Sequence, residues 1–251
     1  EKYFGPQYDI HGGGIDLMFP HHEAEIAIME SISGLKPFVK KWMHAGFLVN
    51  KGRRMGKSNS NFMTAHEALQ IYAPEALRFY FLSAHYKSPL DFTEDNLKQA
   101  EAAVSRLGEF VAKINRFEDE MLPDPNEHIA SMIDQHEKAF RDALENDFNT
   151  PRAFGVLFEL LKTINPLLTK RKFDMDNAQT LLKFFKTVHD VLGIMPQNLQ
   201  KLPKTIEMIL DQRERARNDK DYATADKLRK QIEEEGYIID DTQYGPLVKK
   251  Q

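Results

Sequence analysis

The sequence contains no cysteine. That excludes disulfides and any zinc site whose ligands are all thiolates of this chain. Tryptophan occurs once, at Trp42. No apolar run approaches the ~20 residues needed to span a bilayer, and no signal-peptide pattern is present. A surplus of one charge is missing too. The 34 Lys and Arg against 38 Asp and Glu leave a formal net charge of −4, so no global positive field draws in nucleic acid. Any RNA contact has to use a local patch. What remains is ordinary for a soluble globular chain, 41% hydrophobic and 29% charged over 251 residues, enough for one or two domains with a real core.

The most informative stretch is residues 8–62. The apolar run ending at Ile10 reads as a short strand over 7–10, stopped by His11-Gly12-Gly13-Gly14. Consecutive glycines permit φ > 0 and let a ligand approach with no Cβ in the way. A glycine loop leaving a strand is how α/β folds receive nucleotides. Asp16 follows, a carboxylate that could accept two ribose hydroxyls, although a turn with a solvated aspartate has the same composition. Pro20 in Pro20-His21-His22-Glu23-Ala24-Glu25 is suited to the first helical position, which predicts a helix over 20–33 ending near Gly34. Residues four apart share a helix face, so His21 and Glu25 point the same way and form two plausible zinc ligands. His22 lies about 100° round the helix and is the poorer candidate. A histidine ahead of a surface helix with a solvated glutamate fits the pattern equally well. A second strand is expected over 42–49, carrying His44 and Gly46. A turn at Asn50-Lys51-Gly52 then leads to a basic, glycine- and serine-containing loop, Arg53 to Asn61. Lys57 in that loop is a compact charge suited to a phosphoryl group, though an exposed basic loop reads the same way.

Downstream, the pattern is helical. Thr64 with Glu67 has capping-box spacing, and Pro74 opens a second short helix. Leu97, Ala100, Val104, Leu107, Val111 and Ile114 recur at three and four along a helix predicted over 93–117. Further helices are expected at 127–145, 150–169 and 176–192. Thr150 caps the second, with Pro151 at its first turn, and Asn165-Pro166 is expected to kink or end it. Four long helices with short links suggest an antiparallel bundle. After a linker at 196–203 come two charged helices, 204–218 and 221–235, with Gly236 at the end of the second. A hairpin over 237–242 and 246–248 follows.

Singly these signals are modest, but their order and spacing resemble the class I aminoacyl-tRNA synthetases, and within them the cysteinyl-tRNA synthetases. In that family a strand, a GGGxD loop, PHHExE, a Trp-Met-His-x-Gly strand and a KMSKS loop follow in this order. Here the last reads Arg54-Met55-Gly56-Lys57-Ser58, with Arg and Gly where the family has Lys and Ser. Glu75-Ala76-Leu77-Arg78 resembles the DALR signature of a tRNA-contacting helical domain. Asp147-Phe148-Asn149-Thr150-Pro151 resembles a phrase common in the family's bundle and reads as a structural corner. Residues 204–248 resemble the family's anticodon module.

The resemblance covers residues 3 to 248 or so. It implies an α/β remnant, the end of a Rossmann-like catalytic domain, over 1–62. An all-α antiparallel bundle over 63–195 and a small α+β module over 203–251 would follow. It also implies activation of cysteine with ATP to cysteinyl-adenylate and transfer to tRNA(Cys). ATP would arrive with Mg2+, and Gly14, Asp16, Lys57 and Ser58 would bind it. Lys57 would act on the pyrophosphate, and His21 and Glu25 would be two of four ligands to one zinc per subunit. His11 would stand beside the metal. The family's remaining zinc ligands are cysteines and, like its HIGH motif, precede the equivalent of residue 1. The expectation is therefore a cytoplasmic, monomeric C-terminal fragment that does not adenylate by itself. Three rivals stay open: a paralogue joining cysteine to a small amine, a non-catalytic tRNA-binding adaptor, and a His/Glu zinc hydrolase short of ligands.

Overall fold

The computed structural model describes residues 2–56, 62–115, 127–169, 173–195, 202–242 and 245–250. The chain divides into two units, residues 1–100 with 139–156, and residues 101–138 with 157–251.

The first unit is built on two parallel strands, β1 (Tyr8–Gly14) and β2 (Val39–Ala45), in a register that sets His11 beside Trp42 and Gly13 beside His44. Helix α1 (Glu23–Ser33) connects them and ends where Gly34 turns left-handed at φ 70°, a conformation that glycine adopts without a Cβ clash. A hairpin of β3 (Leu48–Asn50) and β4 (Arg53–Arg54) follows, turned by Lys51 and Gly52 at φ 51° and 74°. Positive φ at both central residues matches the twist of a tight hairpin. β3 also pairs in parallel with β5 (Leu90–Asp91). Between them lie α2 (Ala65–Ile71), closed by a reciprocal Thr64–Glu67 capping box, and α3 (Pro74–Leu82), opened by its proline. Phe38, Val39, Leu77, Phe79, Tyr80 and Phe92 are buried. The unit also holds the corner between α5 (Glu127–Glu145) and α6 (Thr150–Thr169).

The second unit takes most of α4 (Glu94–Asn115) together with α7 (Met175–Leu192). The stripe Val104, Leu107, Val111 and Ile114 on α4 is buried, as are Leu157, Leu160, Leu161, Ile164 and Leu168 on α6, as their helical spacing predicts. Phe110 and Phe185 meet edge to face at 5.4 Å. The end of the chain folds α8 (Lys204–Asn218) and α9 (Tyr222–Glu234) against the hairpin β6 (Tyr237–Thr242) and β7 (Gly245–Lys250). The small core there is Ile206, Leu210, Ile232, Ile239 and Val248.

Several expectations are corrected. The three glycines do not end β1. They are its last residues, none with positive φ. Helix α1 begins at Glu23, because Phe19 is extended at φ −137° and Pro20 to His22 form a broad turn ahead of it. The strand expected over 42–49 is two strands broken at Gly46, where the backbone of Ser88 leaves no room for a Cβ. Asn149, not Thr150, caps α6, its Oδ1 accepting the Arg152 amide at 3.1 Å. Proline does not end α6, which runs through Pro166 to Thr169. Burial of Ile164 and Leu168 on either side, at roughly 1.5–3 kcal/mol per aliphatic side chain, offsets the backbone bond that proline forgoes. Most of the expected 196–203 linker lies outside the described residues.

Candidate functional site at the carboxyl ends of β1 and β2

Side chains alternate across a strand with period two, so His11 and Gly13 share one face of β1, and Trp42 and His44 share one face of β2. Their register brings all four onto the same face. Over Gly13 lies the ring of His22. A Cβ on residue 13 would stand 2.8 Å from His22 Cε1 and 3.2 Å from Nε2, so glycine is required for that ring to lie against the strand. His22 is buried, with Nδ1 2.8 Å from His44 Nε2 and its ring 4.8 Å from Trp42 and 5.0 Å from His11. Trp42 stacks on His11 at 4.9 Å and lies parallel to His44 at 5.8 Å. Burial, reinforced by the neighbouring His11, holds the His22 imidazole below its ordinary pKa, which favours the neutral ring. A neutral ring retains a lone pair for a proton or a metal.

Glu25 reaches the same place from α1. Its Oε1 is 3.2 Å from His21 Nε2, and its Oε2 is 3.6 Å from His11 Nε2. Ligand atoms of one tetrahedral zinc lie about 3.3–3.7 Å apart when each bond is near 2.0–2.3 Å, so the His11–Glu25 distance suits a shared ion, whereas the shorter His21–Glu25 contact is that of an ion pair. Glu25 Oε2 is buried without a hydrogen-bond partner, as expected of an oxygen whose partner is an ion. Among the described residues, His11, His22 and Glu25 form the group able to hold a metal, their ligand atoms within 4.8 Å of one another. The donor set, imidazole nitrogen and carboxylate oxygen, fits zinc. The structure thus places the sequence-singled His21 and Glu25 side by side, with His11 against Glu25. It adds His22, which helical geometry had set aside, and His44, which the sequence placed only on the second strand. The missed signal was the alternation His-x-Gly facing Trp-x-His.

Asp16 lies in the turn Ile15–Leu17 just beyond β1, its carboxylate folded back over Gly14, where a Cβ would meet Oδ1 at 2.5 Å. Oδ2 takes a 2.8 Å ion pair from Arg54 Nη2, and that guanidinium stacks on the Phe47 ring at 4.1 Å. The hydrogen bond from Arg54 holds the Asp16 carboxyl below its usual pKa. The room that glycine opens at 13 and 14 is therefore filled by this chain's own His22 and Asp16. Lys57 and Ser58 lie outside the described residues. No described helix is long and apolar enough to cross a membrane.

Residues 1–102 match the family model of the tRNA synthetases class I (C) catalytic domain, residues 139–196 a DALR domain, and residues 199–245 the cysteinyl-tRNA ligase anticodon binding domain. Among curated proteins, the cysteine–tRNA ligase of Methanosarcina acetivorans is 41% identical over 254 residues, covering 98% of this chain and 53% of the relative. That of Pectobacterium carotovorum subsp. carotovorum is 37% identical over 260 residues, covering 99% and 53%. The chain spans about half the length of the curated relatives it matches. Among solved structures, the LeuRS of an Agrobacterium radiobacter K84 LeuRS–tRNA–LeuAMS complex superposes with a TM-score of 0.59 at 16% identity, over 74% of this chain and 26% of that one. A putative arginyl-tRNA synthetase from Campylobacter jejuni gives 0.51 at 14% identity, over 75% and 47%. These two likenesses are of fold.

Proposed function

The chain belongs to the cysteine–tRNA ligase family of class I aminoacyl-tRNA synthetases, and from that premise we propose that it serves the activation of cysteine with ATP and its transfer to tRNA(Cys). The observation that carries the reading is the grouping of His11, His21 and Glu25 beside β1, with Asp16 in the turn just past that strand's carboxyl end, where α/β folds receive nucleotides. By this reading residues 1–62 are the end of a Rossmann-like catalytic domain, residues 63–195 a helical bundle that contacts tRNA, and residues 203–251 an anticodon-binding module.

In the reaction the cysteine carboxylate attacks the α-phosphorus of ATP, the bond from that phosphorus to the bridging oxygen breaks, and pyrophosphate leaves. A hydroxyl of the terminal tRNA ribose then attacks the acyl carbon and AMP leaves. Gly14 and Asp16 hold the nucleoside, the carboxylate accepting its ribose hydroxyls. Lys57 and Ser58 hold the phosphates that enter with Mg2+, and Lys57 stabilises charge as it develops on the leaving pyrophosphate. His21 and Glu25 would hold zinc, with His11 and His22, the histidines grouped with Glu25, beside them. When bound, zinc supplies a soft Lewis acid that prefers the thiolate of cysteine to the hydroxyl of serine. His44 orients the His22 ring through its 2.8 Å contact.

The test is amino-acid-dependent ATP–pyrophosphate exchange by the protein expressed from its complete reading frame, with the 251-residue chain beside it. Exchange with cysteine is expected from the former and not from the chain alone. Lys57→Ala should lower kcat by a factor on the order of 10²–10³ and leave cysteine binding nearly unchanged. Absence of cysteine-dependent exchange would overturn the ligase reading, and retained tRNA binding would then mark an adaptor.

A further inference from the structure

We propose that Asp147, at the corner between α5 and α6, is a positioning residue for the β1–β2 site, acting through residues 85–88 on Gly46 and so on His44. The proposal rests on the reading of that site given above.

The corner is unusual in its backbone. Asp147 and Phe148 are consecutive non-glycine residues with φ of 56° and 53°. Aspartate tolerates that region through its short polar side chain, but phenylalanine does not favour it. Phe148 is 57% exposed, so burial of its ring does not explain the conformation. Such strain persists where surrounding structure over-determines it. Here the Phe148 amide donates to the Leu144 carbonyl, Asn149 donates to Ala143, and Asn149 caps α6. The first turns of α6 are pinned by Phe154, stacked on Phe79 of α3 at 4.3 Å and 9°.

What the corner presents is one residue to three. Tyr86 donates its hydroxyl hydrogen to Asp147 Oδ1 at 2.8 Å, and the Lys87 ammonium pairs with Oδ2. The His85 ring nitrogen lies 2.9 Å from the Asp147 carbonyl oxygen. The Lys87 ammonium holds the Asp147 carboxyl below its usual range, and the same contact raises Lys87. These three side chains are consecutive, so binding them fixes the backbone that carries them. That backbone touches the end of β2. The Gly46 amide donates to the Tyr86 carbonyl at 2.7 Å, and a Cβ on residue 46 would collide with the Ser88 carbonyl group. Gly46 follows β2 directly and stands two residues from His44, which holds His22 over Gly13. An unbroken series of contacts thus runs from a helix–helix corner to the imidazole pair.

The readout is independent of catalysis. Trp42 is the only tryptophan and stacks on His11 and His44, so its fluorescence reports the site, and the Gly46 amide reports the clamp. Asp147→Gly removes the carboxylate while easing the positive φ, which separates the clamp from the strain. In the full chain, far below its melting temperature, this variant should speed Gly46 amide exchange by at least about ten-fold and raise acrylamide quenching of Trp42. Asp147→Asn, which keeps an acceptor for Tyr86, should fall between. Leu181→Ala, a buried change on α7, destabilises without touching the corner and should leave both signals as they were. Unchanged Gly46 exchange and quenching in Asp147→Gly would overturn the proposal, as would equal loosening in Leu181→Ala. Either result leaves the ATP–pyrophosphate exchange test standing on its own.

Discussion

Asp16 and Arg54 show how one residue can be committed twice. The carboxylate proposed to receive a ribose is held by a guanidinium that rests on Phe47. Both partners are exposed, and an exposed ion pair contributes little to stability. The pair therefore concerns the state of the site more than the survival of the fold. Arg54→Met should leave the melting temperature within error and raise the Asp16 carboxyl toward its ordinary range. A carboxyl-detected NMR titration would register that shift, and an unmoved Asp16 would show that Arg54 does not govern it. The same scale explains the glycines. Gly13 and Gly14 are needed for what their missing Cβ atoms admit, the His22 ring and the Asp16 carboxylate, and the strand dihedral at Gly14 is one any residue could adopt.

Among the elements, α2 is the one whose ends matter most. At seven residues it is too short to be stable on propensity alone. It relies on Thr64, whose hydroxyl accepts the Glu67 amide at 3.1 Å while Glu67 accepts the Thr64 amide at 2.7 Å. Thr64→Ala should cost about 1 kcal/mol, read as a lower urea midpoint with an unchanged slope. An unchanged midpoint would mean that packing of Ala68 suffices to hold the helix. In α6 the decision goes the other way. Pro166 weakens the backbone ladder, but the buried stripe continues past it to Leu168, and packing wins.

Across the whole molecule, the titrating groups set a pH window. Asp9, Asp16, Glu94 and Asp147 are held below their ordinary values by hydrogen bonds from Lys40, Arg54, Lys98 and Lys87, and Glu67 and Asp221 by the amides and hydroxyls they cap. A carboxyl with a depressed folded pKa adds stability that is present above its unfolded value, about 4, and is lost as pH falls through the folded one. His22, also depressed, stabilises the fold above its ordinary value near 6.5 and gives that up as the medium becomes more acidic. Lys87 and Lys98 are raised, so their share is present below about 10.4 and is lost as pH climbs past it. Urea midpoints should thus be near their highest just above pH 7. A first decline is expected below about pH 6.5 and a steeper one below about pH 4, the latter weakened by salt because the pairs are exposed. Equal midpoints at about pH 3 and pH 7 would contradict this.

Much of the chain could be read without a structure. The buried stripe of α4 and the capping box of α2 follow from local spacing, because a helix closes its bonds within a few residues. The stop at Gly34, the Lys51–Gly52 turn and the terminal hairpin are equally local. So is the order of motifs from His11 to Ser58 that points to a family. Tertiary structure alone decided what meets across long gaps. His22 reaches His44 over 22 residues, and Tyr86 reaches Asp147 over 61. The glycine run became strand because a parallel partner satisfied its backbone and His22 needed its open face. Period and propensity describe a residue and its near neighbours. A strand pairing or a corner contact depends on which distant backbone arrives, and that is settled only when the whole chain has packed.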